Sequence, residues 1–300
     1  MYRQNNKNAN NRKKVLDTLL NEDIIVFLKV YWDAILKEFN AKKAETNSSL
    51  SNGQLWDKFS TTQPHLLDSL NNCYYIFVLI WNGSDMEIEE IQIKLYEGTV
   101  DLVLDCLDNH LYPLLDVKST HPQHKVVKSC LGISHNFCNK YDKAIPDLRD
   151  KDALRIIGKY RNSGTLTLKT KSILAYSYLL SEKDDKNKSI IELEEKDIKF
   201  LITVLVHALE SPDQHSTKYG YHAEELIVGL NNVAVVDSNK KRLVDAGVLP
   251  LYVRAMAIDK AELQECAAQG VWTLAFDNES MKKIKEEPGC MDGKFIFNLH

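Results

Sequence analysis

One apolar pattern occurs twice in the last third of the chain, and it constrains the fold more than any other feature. Residues 229–237 read GLNNVAVVD, and residues 270–277 read GVWTLAFD. When the two segments are aligned on their shared alanine, the matched positions are 41 residues apart, and Leu243 and Ile284 keep the same separation. A helical period of about forty residues indicates an α-solenoid, in which each unit buries its apolar face only against its neighbours. We therefore predict a stack of helical units with a long curved surface.

The composition agrees with an all-α fold and limits the classes of partner. Only 12 of the 300 residues are glycine and 7 are proline, which disfavours a fold built from strands and tight turns. The net charge of −4 argues against nucleic-acid binding through bulk electrostatics. No run of about 18 apolar residues is present, so we expect no membrane span.

Apolar residues at helical spacing extend over most of the chain and suggest its organisation. The first residues are rich in asparagine and basic side chains and lack the apolar core of a secretory signal. The pair Gly98-Thr99 is expected to end one helix and cap the next. The predicted segments are a disordered end at 1–11, a helical repeat domain at 12–290 with its clearest repeats at 195–290, a polar linker at 40–53 and an irregular tail at 291–300.

The clear repeats are divided into helices by their turn residues. Gly247 is predicted to turn the chain sharply between a short helix and an apolar one, because glycine tolerates backbone conformations that other residues avoid. The predicted helices of this region cover residues 198–209, 221–236, 239–244, 248–256 and 261–276.

Two segments resemble the armadillo repeat family. Residues 239–251, NKKRLVDAGVLPL, resemble the junction between the first two helices of an armadillo unit. Residues 263–277, LQECAAQGVWTLAFD, resemble its third helix. The resemblance covers roughly residues 195–290, and the earlier part of the chain matches only loosely. It implies a right-handed α-α superhelix, an armadillo- or HEAT-like solenoid.

The resemblance also implies where a partner binds. Third helices of armadillo units line a concave groove, and in peptide-binding members an asparagine ladder on these helices pairs with the backbone of an extended ligand. In this sequence Asn232 occupies the ladder position, and Thr273 replaces the asparagine one unit later. Trp272 either contacts the partner or packs between repeats, and both roles stay open. The candidate groove residues are Asn231, Asn232, Trp272, Thr273, Phe276, Tyr178 and His135.

These expectations describe a non-catalytic scaffold that binds a protein or peptide partner along its concave groove. The alternative is a regulatory armadillo region of a larger protein that carries a catalytic or signalling domain after residue 290. The sequence contains no nucleophile elbow, phosphate-binding loop or zinc-protease motif in a suitable context, so we expect neither an enzyme nor a cofactor. The expected location is the cytoplasm, with the nucleus also open.

The cysteines and histidines raise the question of a metal site. The chain has six cysteines and no CxxC motif, which favours reduced, buried thiols over a disulfide framework. Zinc binds cysteine and histidine, but the spacing here matches no standard finger, and three of the candidates share one predicted helix. We therefore predict no bound metal. The residues considered are Cys106, His110, His121, His124, Cys130, His135 and Cys138.

Overall fold

The computed structural model is mainly helical, which confirms the all-α class. Within the described residues the only β-structure is one antiparallel pair of two-residue strands, where the sequence predicted no sheet. The predictions for residues 1–11 and 291–300 lie outside the part of the chain that the structure describes. The described residues are Lys13, Lys14, Asp17, 24–46, 49–113, 120–180 and 194–290.

The helices are numbered in chain order. The first half contains α1 (Ile24–Thr46), α2 (Asn52–Thr62), α3 (Pro64–Ser84), α4 (Glu89–Asp105), a π-helical turn (Cys106–His110), α5 (Pro122–Lys140), α6 (Ile145–Asp150) and α7 (Ala153–Gly158). The second half contains α8 (Leu166–Tyr178), α9 (Glu195–Glu210), β1 (His215–Ser216), β2 (Tyr221–His222), α10 (Ala223–Val233), α11 (Asp237–Asp245), α12 (Val248–Met256), α13 (Ala261–Leu274) and α14 (Asn278–Glu286). Among the described residues, no helix is both long and apolar enough to cross a membrane.

The chain forms two compact units where the sequence suggested one continuous repeat domain. The described part of the first unit comprises Lys13, Lys14, Asp17, 24–46, 49–113, 120–157 and 163–168. The described part of the second unit comprises 158–162, 169–180 and 194–290.

The first unit is organised around the pair α3 and α5. A Cβ atom at Gly132 would lie 2.4 Å from Cε2 of Trp81, so only glycine permits this close approach. The amide Nδ2 of Asn136 donates to the backbone oxygen of Trp81 and to Oγ of Ser84, and so satisfies the end of α3. The ring of Trp32 on α1 meets that of Phe77 on α3 edge to face, with centroids 6.3 Å apart. The core of this unit therefore lies between α1, α3 and α5.

Of two breaks predicted in this unit, one is shorter than expected and the other is absent. The linker expected at 40–53 is helical at both ends, because α1 continues to Thr46 and α2 begins at Asn52 after a capping box between Ser51 and Gln54. Gly98 does not end a helix and lies within α4. A Cβ atom there would lie 2.8 Å from Cδ1 of Ile25, so this glycine serves helix packing and not a turn.

The second unit follows the predicted helix pattern closely. Gly247 has a φ angle of 90° and separates α11 from α12, as predicted. The helix predicted at 248–256 is confirmed, and that predicted at 239–244 is longer by a few residues. The helix expected at 221–236 begins only at Ala223, because the preceding residues form the β-hairpin.

The sequence period reappears as a period of helix boundaries. The helices α10 and α13 end 41 positions apart, at Val233 and Leu274. Both ends of α11 and α14 are related by the same 41 positions, and the matched side chains Leu243 and Ile284 are both buried. Within this unit α13 packs against α10, and α14 packs against α11. The two sequence segments therefore form equivalent pairs of helices.

Candidate partner-binding surface

The end of α13 exposes two large aromatic side chains. Trp272 is 52% exposed and Phe276 is 69% exposed, and their rings meet edge to face at 5.5 Å. The ammonium group of Lys240 lies 5.9 Å from the centre of the Phe276 ring. Neighbouring exposed aromatic side chains are a frequent feature of interaction sites. This pair is the strongest candidate site in the second unit.

Asn231 is a structural residue and not part of an open groove. It is only 8% exposed, and it accepts a hydrogen bond from the hydroxyl group of Tyr252 on α12 at 2.7 Å. Its own amide Nδ2 donates to the backbone oxygen of Cys266 on α13 at 2.8 Å. A Cβ atom at Gly270 would lie 2.4 Å from Oδ1 of Asn231, so glycine makes room for this link. The predicted role of Asn231 in binding is therefore corrected, because its amide joins three helices.

The comparison of Asn231 with Trp272 explains why the tryptophan is exposed. The two residues are 41 positions apart and hold equivalent places in α10 and α13. In α10 that place is covered, because α13 packs alongside it and bonds to Asn231. In α13 the equivalent side chain, that of Trp272, is more than half exposed to solvent. A segment that packed along α13 as α13 packs along α10 would cover Trp272.

The ladder residues differ in their hydrogen bonding. Asn232 is half-buried, and its Nδ2 makes no hydrogen bond within the described residues. The hydroxyl group of Thr273 donates to the backbone oxygen of Gln269 in its own helix at 2.9 Å. The Asn232 Nδ2 atom is itself buried, so a partner cannot reach it in the folded state, and the Thr273 donor is already used.

The two looser candidates occupy different environments. His135 is 2% exposed and lies in α5, whose side chains from residue 129 to residue 138 are all buried. Its predicted place on a binding groove is therefore corrected, since a partner cannot reach it in the folded state. Tyr178 is half-buried at the end of α8 in the second unit.

A charged rim lies beside the aromatic pair. The positions 265, 269 and 272 follow one another at helical spacing on one side of α13, position 276 lies just after the helix, and all four are exposed. At the start of α14, hydrogen bonds from Ser280 lower the pKa of Asp277, and Lys282 lowers the pKa of Glu279. Both carboxyl groups are therefore ionised at neutral pH. Glu265 lies about two helical turns before Trp272 on the same side of α13, and the ammonium group of Lys240 lies beside Phe276.

The cysteines are structural thiols. All six are free and buried, which confirms that they form no disulfide framework. Burial raises the pKa of Cys73 and of Cys138 to about 12, so these thiols stay protonated and are poor nucleophiles. Among the described residues, no three or more His, Cys, Asp or Glu side chains are grouped so that they could hold a metal ion.

The histidines at the start of α5 are held neutral by their surroundings. Burial lowers the pKa of His124, and the nearby Lys128 and His121 lower it further. Burial also lowers the pKa of His121, although Asp57 opposes this shift. The Nδ1 atom of His121 accepts a hydrogen bond from the backbone N–H of Gln123 and so caps the helix. These residues act as neutral structural groups.

The chain matches none of the known protein-family models, and no curated protein sequence matches it. The armadillo resemblance therefore depends on the residues of this chain alone.

Proposed function

We propose that this protein is a non-catalytic interaction scaffold, and that the exposed face at the end of α13 binds a segment of a partner protein. The observation that carries this proposal is the contrast between Asn231 and Trp272. Equivalent positions are covered in α10 and open in α13, and the open one holds a tryptophan beside an exposed phenylalanine. Tryptophan is enriched among the residues that dominate binding energy at protein interfaces.

The proposed architecture is an armadillo-like right-handed superhelix. Two observations in the second unit support it. The helix boundaries repeat after 41 positions, from α10 and α11 to α13 and α14. Gly247 and Gly289 both have φ angles near 90°, and both follow the short helix of a repeat. In such a stack the third helices share one surface, which is suited to binding an extended or helical segment.

The chemistry of this surface indicates the kind of segment that fits. Trp272 and Phe276 offer apolar contact area for one or two apolar side chains of the partner. The Nδ2 atom of Asn232 is buried, so it offers no accessible donor for the ladder contact of peptide-binding armadillo proteins. We therefore expect a protein segment that places an apolar anchor on Trp272.

The test compares three alanine variants of the full chain. Trp272→Ala and Phe276→Ala remove the proposed anchors, and Tyr75→Ala is the matched control, because Tyr75 is an exposed aromatic residue of the first unit. Proteins retained by each variant are quantified by mass spectrometry, and the affinity of a purified partner is then measured. We expect to find partner proteins that no longer bind to Trp272→Ala or Phe276→Ala but still bind to Tyr75→Ala. For such a partner, Trp272→Ala should weaken binding by about 2 kcal/mol or more.

The melting temperature of each variant completes the test. Because Trp272 is exposed, its replacement by alanine should leave the melting temperature nearly unchanged. Unchanged affinity together with a large fall in melting temperature would instead assign Trp272 to packing between repeats, and the proposal would be wrong.

A further inference from the structure

The β-hairpin is an insertion in the helical repeat. The connection between α9 and α10 spans residues 211–222, whereas the equivalent connection between α12 and α13 spans only residues 257–260. The longer connection contains β1 and β2 and a turn that ends at Gly220, whose φ angle is 77°. Insertions in repeat proteins form loops on one face, and this face is often used for binding. The hairpin therefore needs an explanation that the repeat pattern does not provide.

One face of the hairpin is fixed to the helices. The side chains of Ser216, Tyr219 and Tyr221 are buried. The ring of Tyr219 lies edge to face with that of Phe200 on α9, and the ammonium group of Lys171 lies 3.2 Å from the Tyr221 hydroxyl group. Strand side chains alternate between two faces. The neighbouring residues of each strand therefore project from the opposite face.

Those neighbouring residues are two histidines directly opposite each other. His215 and His222 are cross-strand partners, and their ring centres are 4.5 Å apart with 34° between the planes. The backbone N–H of Ala223 donates to the oxygen of Gln214 at 2.8 Å and fixes the strand pair next to them. The two imidazoles therefore lie on strands that are fixed by their pairing and by this backbone hydrogen bond.

We propose that His215 and His222 together chelate a divalent transition-metal ion such as Zn²⁺, Ni²⁺ or Cu²⁺. Each imidazole supplies one nitrogen lone pair, and His222 must release its lone pair from the capping contact with the backbone N–H of Glu225. Metal–nitrogen distances of about 2.0–2.1 Å place the two ligand nitrogens roughly 3 Å apart. The ring centres are 4.5 Å apart, so both side chains must rotate to reach that separation. Water completes the coordination, since the site has two protein ligands.

Two carboxyl groups lie close to the backbone of the pair, although His222 is also at the positive N-terminus of α10. A carboxylate oxygen of Asp213 accepts from the backbone N–H of His215 at 3.2 Å, and one of Glu225 accepts from that of His222 at 3.1 Å. The two negative side chains therefore stand at the backbone of the two ligands and attract a positive ion. Imidazole ligands select Cu²⁺, Ni²⁺ and Zn²⁺ over Mg²⁺ and Ca²⁺, which prefer oxygen.

Metal titration of the full chain tests this proposal. Tag-free protein is treated with chelator, returned to chelator-free buffer and titrated with Zn²⁺ and Ni²⁺ by calorimetry, with Mg²⁺ as the ion that should not bind. The variants are His215→Gln, His222→Gln and the double variant, and the matched control is His65→Gln, another exposed histidine. We expect one bound ion per chain at the hairpin. Each single variant should lose about a hundredfold in affinity, because the second imidazole no longer binds at high effective concentration.

The pattern across the variants separates chelation from scattered binding to single histidines. A bidentate site predicts that either single replacement removes tight binding, that the double variant also loses the weak binding through one imidazole, and that His65→Gln binds as the wild type. Equal affinity of wild type and hairpin variants would overturn the proposal, and so would an equal loss in His65→Gln. Melting curves without metal show whether the variants fold. If they do not, nitrogen hyperfine coupling in the spectrum of Cu²⁺ bound to the wild type decides, since two equivalent imidazole nitrogens are required.

Discussion

At the scale of single residues, the buried side-chain amide of Asn231 links three helices of the second unit. Asn231 joins α10 to α12 through the Tyr252 hydroxyl group and to α13 through the Cys266 backbone oxygen. A buried polar group costs free energy when its partner is removed, so this link is sensitive to changes at either end. The asparagine that the sequence suggested for partner binding thus has a structural role.

We expect Asn231→Ala and Tyr252→Phe to be coupled in their effect on stability. Each variant alone removes the hydrogen bond at 2.7 Å between the two side chains, and Asn231→Ala also leaves the buried Tyr252 hydroxyl group without its acceptor. In a double-mutant cycle measured by urea unfolding, the coupling free energy should be about 0.5–3 kcal/mol. Additive effects of the two changes would show that the hydrogen bond contributes nothing.

Replacement of Gly247 should be costly for a backbone reason alone. Its φ angle is 90°, and a Cβ atom built there meets no atom within 4 Å. We expect Gly247→Val to lower the free energy of unfolding by roughly 1–3 kcal/mol through a strained backbone. Gly247→Asn is the control, because asparagine tolerates this conformation better, and it should cost less. Equal stability of the two variants would contradict this explanation.

At the scale of secondary-structure elements, the end of α4 depends on side chains of α2. The π-helical turn at Cys106–His110 leaves backbone oxygens without helical partners. The indole N–H of Trp56 donates to the backbone oxygen of His110 at 3.0 Å, and Nδ2 of Asn52 donates to that of Asn109 at 2.7 Å. The short helix α2 therefore caps the π-helical turn that follows α4. No sequence motif predicted this role.

The start of α5 should make the protein sensitive to acid. The pKa of His124 is lowered in the folded protein, so the unfolded chain binds more protons once the pH falls below about 6.5, the ordinary value for histidine. Stability is then fully present above that pH and decreases as the pH falls through the lowered pKa. The slope is at most about 1.4 kcal/mol per pH unit for each such histidine.

His124→Phe should reduce this acid sensitivity, because phenylalanine cannot be protonated and suits a buried site. The free energy of unfolding is measured by urea titration between neutral and mildly acidic pH, with the exposed His65→Gln as control. We expect a shallower decrease in His124→Phe and an unchanged decrease in the control. Parallel curves for wild type and His124→Phe would show that His124 does not cause the acid response.

At the scale of the whole molecule, the described residues form two compact units. Three of the four tryptophans, Trp32, Trp56 and Trp81, belong to the first unit, and only Trp272 belongs to the second. Tryptophan fluorescence therefore reports on the first unit when Trp272 is replaced, whereas circular dichroism reports on all helices. This distribution allows the unfolding of each unit to be followed.

We expect a core substitution in the second unit to affect the two signals differently. In a Trp272→Phe background, Leu243→Ala should destabilise the second unit by about 2–5 kcal/mol, because Leu243 is fully buried. The transition seen by circular dichroism should then move to lower urea concentration, while the fluorescence transition stays in place. If both transitions move together, the two units unfold as one cooperative structure.

Sequence alone determined the features that depend on local spacing. The all-α class, the left-handed Gly247, the helix at 248–256 and the 41-residue period of helix ends follow from apolar periodicity and glycine chemistry within a few residues of each site. The free, buried state of the cysteines follows in the same way, because they lie within apolar helical patterns.

Only the tertiary structure decided what depends on neighbours that are distant in sequence. Asn231 and Trp272 have equivalent places in two similar segments, yet one is buried and the other exposed, because α13 covers α10. Gly98 was expected to end a helix, but it is required by the side chain of Ile25. His215 and His222 come together only through the strand register of the hairpin. Burial and cross-strand contact are properties of the packed chain, and a periodic sequence pattern does not specify which of its repeats is covered.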